Sequence, residues 1–91
     1  MATETFKIKS GYVLREIAGE FLAIPVAPEL DSSSVVILNP VSGLLWDMLQ
    51  SECTLLQLVK AVIENFTIDE ATAESDIKEF LQMLKESNIL E

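Results

Sequence analysis

The apolar pattern of this 91-residue chain changes its period once, at Asn39-Pro40. Before this dipeptide, branched and aromatic residues form short runs between turn residues, which is typical of β-strands. After it, apolar residues recur every three or four positions, which is typical of helices. A chain of this length has room for one core, so the pattern predicts a single α+β domain over residues 1–91. Within it we expect residues 1–8 to be flexible.

Two of the predicted strands form a hairpin. Residues 12–17 and 20–27 flank Ala18-Gly19, where glycine supplies the positive φ of a tight turn. Pro25 lacks a backbone N–H, so the second strand should become irregular near its end.

The third predicted strand is the short apolar run at residues 35–38. It follows the segment 28–34, whose proline, acids and serines are typical of a loop. If the strands pair in sequence order, this strand lies at an edge of the sheet. An edge strand leaves a row of unpaired backbone N–H and C=O groups.

Capping residues predict three helices after the sheet. Asn39 is a good N-cap and Pro40 suits the first helical position. The sequence of residues 54–57 is a capping box for the second helix. Asp69 caps a third helix that should run from about residue 70 to 87, followed by Asn88 in a left-handed conformation.

Each helix carries one apolar face. The first is formed by Val41, Leu44, Leu45, Met48 and Leu49, with Gly43 on the opposite side. The second is formed by Leu55, Leu58, Val59, Val62, Ile63 and Phe66, and the third by Ala73, Ile77, Phe80, Leu81 and Leu84. A three-stranded antiparallel sheet followed by a three-helix bundle predicts a winged-helix-like arrangement.

The charge of the chain argues against two classes of partner. Fifteen acidic and six basic residues give a net charge of −9, which repels nucleic acid and anionic membrane surfaces. The three helices carry only Lys60, Lys78 and Lys85 as basic groups. The first ten residues lack the apolar segment of a signal peptide, and no apolar run approaches the length of a membrane span. We therefore expect a cytoplasmic protein.

The residue inventory gives no catalytic or metal centre. The chain has no histidine and a single cysteine, Cys53, for which no base is evident. The carboxylates between residues 69 and 79 lack the turn glycine of an ordered calcium loop, and they suit the start of a helix instead. We expect no enzyme activity, no metal and no cofactor.

Several segments resemble the PqqD-like family. They are residues 9–17 (KSGYVLREI), the hairpin glycine, residues 38–49 (LNPVSGLLWDML), and the downstream pattern of Thr54, Phe66, Asp76, Phe80-Leu81 and Asn88-Ile89-Leu90. The resemblance extends over nearly the whole chain from about residue 7. Its most specific part is the Leu-Asn-x-x-x-Gly-x-x-Trp segment.

This resemblance implies a recognition element for ribosomally made precursor peptides. Such domains bind the leader segment of the peptide and present it to a modifying enzyme, often a radical S-adenosylmethionine protein. The leader is held as an added strand on the third strand, against the last helix. The resemblance implies a groove formed by Val35, Val36, Ile37 and Leu38 on the strand and by Ile77, Lys78, Leu81, Leu84 and Lys85 on the helix. The strand and helix residues are equally explained as ordinary core, and for Ile77 and Leu84 we favour the core interpretation.

Two other functions are compatible with the predicted fold. One is a winged-helix module that binds nucleic acid, which would show salt-sensitive DNA binding. The other is a structural or oligomerisation module. An exposed strand edge can also pair with itself, so a homodimer is a further expectation that the sequence leaves open.

Overall fold

The computed structural model describes residues 4–27 and 35–91 of the chain. Its elements in chain order are β1 (Thr5–Phe6), β2 (Tyr12–Ile17), β3 (Glu20–Pro25), β4 (Val36–Leu38), α1 (Pro40–Met48), β5 (Cys53–Thr54), α2 (Leu55–Asn65) and α3 (Glu70–Glu86). The loop predicted at residues 28–34 lies outside the described residues.

The main sheet is antiparallel and has the strand order β2-β3-β4. The turn between β2 and β3 places Ala18 at φ 53° and Gly19 at φ 83°, as expected for a two-residue hairpin loop. The second predicted strand is β3, which ends at Pro25. β4 pairs with β3 over three residues. The α+β fold predicted from the sequence, with its three-stranded sheet and three helices, is therefore confirmed.

The helix starts follow the predicted caps. The Asn39 side chain accepts a hydrogen bond from the Ser42 backbone N–H at 2.8 Å, and Asp69 caps α3 in the same way. At the start of α2, Thr54 and Gln57 exchange both bonds of the capping box. After α3, Asn88 has the predicted positive φ, at 60°. Local hydrogen-bonding chemistry thus fixes where each helix begins.

The core lies between the helices and one face of the main sheet. The five predicted apolar residues of α3 are all buried. Trp46 in α1 is fully buried and meets Tyr12 of β2 edge to face, with ring centroids 5.4 Å apart. Gly43 is also buried, which corrects its predicted position on the outer side of α1. A Cβ atom at Gly43 would lie 3.0 Å from the Phe21 ring, so glycine allows α1 to approach β3 closely.

A second, two-stranded sheet joins the N-terminal part of the chain to its middle. Residues 5 and 6 pair with Thr54 and Cys53, and Ile8 forms a bridge with Leu90. Ile8 is only 3 % exposed. Of the segment 1–8 that we expected to be flexible, residues 4–8 are described, and strand pairing and burial of Ile8 connect them to the rest of the fold. Residues 1–3 lie outside the described part of the chain. Among the described residues, no helix is long and apolar enough to cross a membrane.

Candidate functional site

The outer edge of β4 has no partner strand among residues 4–27 and 35–91. No other described strand pairs with it beyond β3. Pro25 has no N–H, so its pair with Tyr12 is one of the non-hydrogen-bonded pairs of the β2-β3 ladder. Hydrogen-bonded pairs alternate, so Leu22 bonds toward β2, while its neighbours Phe21 and Ala23 bond toward β4.

This alternation fixes which groups of β4 are free. Phe21 and Ala23 bond to Leu38 and Val36, because these are their partners in the register. The N–H and C=O of Ile37 therefore point away from β3, toward the open edge. One available donor and one available acceptor lie at the centre of β4.

Side chains along β4 alternate between the two faces of the sheet. Ile37 is 71 % exposed on the outer face, whereas Leu38 is buried in the core and Val36 packs against it. Val35, just before the strand, is exposed. Only some of the four predicted strand residues can therefore offer side chains to a ligand, as expected from the period of a strand.

A groove begins where β4 ends. It lies between the first turns of α1 and the middle of α3, is open to solvent and has a volume of about 380 Å³. We call it the β4-side groove. Its lining residues are Asn39, Val41, Ser42, Leu45, Asp76, Glu79 and Phe80. The lining combines apolar and polar residues, and Asn39 connects it to the end of β4. Such a mixed lining is typical of ligand-binding clefts.

The charge in the β4-side groove is negative. Asp76 and Glu79 are exposed, and the groove lining contains no basic residue. Within residues 4–27 and 35–91, the salt bridges are Lys78–Glu74 at 3.0 Å and Lys7–Glu91 at 3.6 Å. The two carboxylates of the groove thus have no cationic partner among the described residues.

A second depression lies on the other side of α3, beside β1. We call it the β1-side depression; it measures about 360 Å³. Its lining residues are Glu4, Phe6, Leu55, Lys78, Leu81, Gln82, Lys85 and Leu90. No residue of β4 lines either the depression or the β4-side groove, but the groove includes Asn39, which directly follows β4.

The structure separates the helix residues that the family resemblance implied for one groove. Ile77 and Leu84 have no exposed surface and belong to the core, in line with the interpretation favoured from the sequence. Lys78, Leu81 and Lys85 line the β1-side depression, which shares no residue with the β4-side groove. Their contact with a peptide stays a prediction.

The helix residues that line the β4-side groove were not identified as site residues from the sequence. Asp76, Glu79 and Phe80 are spaced i, i+3, i+4 and so share one side of α3. This spacing was a usable signal, but the two acids were interpreted as solvated surface and Phe80 as core. The orientation of α3 about its own axis decides which of its residues line the groove. This orientation depends on packing against α2.

Other chemistry has little support in the structure. Cys53 is buried, which raises the pKa of its thiol, and its Sγ lies 3.3 Å from the Met48 carbonyl oxygen as a hydrogen-bond donor. A raised pKa disfavours the nucleophilic thiolate. In the part of the chain that the structure describes, no three His, Cys, Asp or Glu residues form a group able to hold a metal ion.

Comparison with known proteins identifies the family and a similar fold. No curated protein matches the chain significantly in sequence. Among solved structures the chain is similar to TbiB1 in complex with the TbiA(beta) leader peptide, with a TM-score of 0.74, 25 % identity, and coverage of 93 % of this chain and 94 % of that one. The family model of coenzyme PQQ synthesis protein D (PqqD) matches residues 26–90, well over half of the sequence. The chain therefore belongs to the PqqD family.

Proposed function

We propose that this chain binds the leader segment of a ribosomally made precursor peptide as an added strand on β4 and presents it to a separate modifying enzyme. The observation that carries the proposal is the outward-facing backbone of Ile37 beside the β4-side groove. The similarity to TbiB1, a protein solved with a leader peptide, supports the same class of ligand. In this proposal the domain itself is not catalytic.

The backbone bonds alone do not make a tight complex. Suppose that the leader exchanges two bonds with Ile37 and two with Val35, at roughly 0.5 to 1.5 kcal/mol each. Their sum, about 2 to 6 kcal/mol, is similar to the 2 to 5 kcal/mol or more that ordering a flexible segment costs. Side chains that enter the β4-side groove must therefore supply the net affinity and the specificity.

The proposed enzyme partner is of the radical S-adenosylmethionine type, which rests on the family resemblance. A homodimer that pairs two β4 edges would occupy the same backbone groups as the leader. Peptide binding and such a dimer would then exclude each other. Addition of a peptide that binds the chain should convert any dimer to a complex of one chain and one peptide. Sedimentation velocity can measure this change.

Substitution at Ile37 tests strand addition. Ile37→Pro removes the free N–H without breaking a bond to β3, and proline is tolerated on edge strands. Ile37→Ala is the matched control, because it removes the exposed side chain and keeps the N–H. Twelve-residue peptides selected from a random displayed library on the wild-type chain serve as the ligand.

We expect Ile37→Ala to change the calorimetric Kd by less than about threefold. Ile37→Pro should weaken binding by about tenfold or more, since it removes a bond and also blocks close approach of the added strand. Circular dichroism verifies that both variants fold. A folded Ile37→Pro variant with wild-type affinity would contradict strand addition, and failure to select any peptide would contradict peptide binding itself.

A further inference from the structure

We infer that the bound leader carries a lysine or arginine side chain that enters the β4-side groove and pairs with Asp76 and Glu79. This inference rests on the proposed function and specifies the chemistry of its ligand. It is carried by two observations. The two carboxylates line the same groove as Asn39, the residue that follows β4, and the groove lining contains no basic residue.

Strand geometry decides which leader residues can reach the groove. A leader residue that pairs with Ile37 directs its side chain to the outer face, as Ile37 does. Its two neighbours direct theirs to the inner face of the sheet, where Leu38 and Val36 point. The neighbour beside Leu38 lies nearest the groove, because Asn39 and the first turn of α1 follow directly. The cationic side chain belongs at this inward position.

The lining suits both parts of a long basic side chain. Val41, Leu45 and Phe80 provide apolar surface for its methylene stem. Asp76 and Glu79 are exposed, so their carboxylates can meet the charged end without either group losing its water completely. An acidic leader residue at the same position would meet two like charges and no partner cation.

The groove that the family resemblance implied contained two basic residues, Lys78 and Lys85. The structure places both lysines in the β1-side depression, and Lys78 already pairs with Glu74. The acidic lining of the β4-side groove follows from the orientation of α3, which places Asp76 and Glu79 there.

A purely structural role for the two acids makes a different prediction. The first turn of α1 contains no acidic residue, so Asp76 and Glu79 would stabilise its positive N-terminal end from outside. Asn39 already accepts the Ser42 N–H there. In that case, neutralising the acids would lower thermal stability and leave the charge preference for peptides unchanged.

Library selection separates these possibilities. A random displayed library of 12-residue peptides is selected in parallel on three proteins: the wild-type chain and two double variants. The groove variant combines Asp76→Lys and Glu79→Lys. The last variant combines Glu64→Lys and Glu86→Lys. The last variant is the control, since it makes the same charge change at exposed residues outside the β4-side groove. Wild type and control should enrich lysine and arginine at one position of the peptide. The groove variant should enrich aspartate and glutamate there.

Affinity measurements complete the test. The double variant that combines Asp76→Asn and Glu79→Gln should bind a peptide selected on the wild-type chain about three- to tenfold more weakly than wild type does at low salt. The difference should become smaller at high salt. Selected peptides that depend on the Ile37 N–H but show no charge preference would overturn this inference and leave the proposed function intact. A loss of stability without a change in preference would overturn it in favour of the structural role. Failure of all selections would instead contradict peptide binding.

Discussion

The two sides of α3 differ in charge and in the state of the neighbouring strand. On one side, the β4-side groove is acidic and adjoins an edge with no described partner. On the other side, the β1-side depression contains Lys78 and Lys85, and the strand beside it pairs with β5. The two flanks of one helix therefore differ in the strand beside them: β1 is paired, and β4 has an outer edge with no partner among the described strands. In the proposed function the unpaired edge is the binding side.

Two isoleucines next to short strands give the largest expected contrast. Ile8 is 3 % exposed and Ile37 is 71 % exposed. Ile8→Ala should lower the free energy of unfolding by about 2 to 5 kcal/mol, because it leaves a cavity in the core. Ile37→Ala should change it by less than about 0.5 kcal/mol. Urea denaturation measures both values, and equal losses for the two variants would refute the contrast between a buried and an exposed isoleucine.

Gly43 tests how closely α1 must approach the sheet on the binding side. Gly43→Val places a side chain against the Phe21 ring, where a Cβ atom alone would already be 3.0 Å away. Overpacking of this kind costs about 1 to 3 kcal/mol. Thermal melting should show the loss. An unchanged melting temperature would mean that Phe21 moves aside freely, and the shape of the β4-side groove would then be less fixed than its geometry indicates.

The lysines of the β1-side depression test whether that side takes part in peptide binding. Lys78→Ala with Lys85→Ala removes one exposed i,i+4 salt bridge, worth about 0.3 to 0.5 kcal/mol of stability. Calorimetry should give less than a twofold change in the Kd of a selected peptide at physiological salt. A tenfold loss would instead support the contact of Lys78 and Lys85 with the leader that the family resemblance implied.

The smallest effect concerns the start of α3, which both sides share. Hydrogen bonds from Thr72 to Asp69 lower the pKa of this carboxyl below its ordinary value of 3.8. The stabilisation is therefore present above that value and is lost as pH falls through the lower pKa of the folded state. Asp69→Asn should make the melting temperature less sensitive to pH below about 4. An identical acid dependence in wild type and variant would show that the cap is not responsible.

Sequence patterns predicted the fold more completely than the site. Helix starts at Asn39, Thr54 and Asp69 depend on local hydrogen bonds, so the sequence contains the necessary information. The pairing of Phe6 with Cys53 joins segments almost fifty residues apart, and the two-residue strands are too short to show a period. A similar limit applies to α3. Its apolar face was predicted in full, but the elements that lie beside its two flanks were not predicted, because they depend on contacts between distant segments.

The two ends of the described chain leave the fold together. The Lys9 N–H donates to the Ile89 carbonyl oxygen at 2.8 Å, and the Glu91 N–H donates to that of Lys7 at 2.8 Å. Adjacent ends of this kind tolerate circular permutation and insertion of a domain into a larger chain. A short linker between residues 4 and 91, with new ends between Ala18 and Gly19, should leave the backbone of Ile37 accessible. The domain could then be carried within another protein, attached from the β1 side.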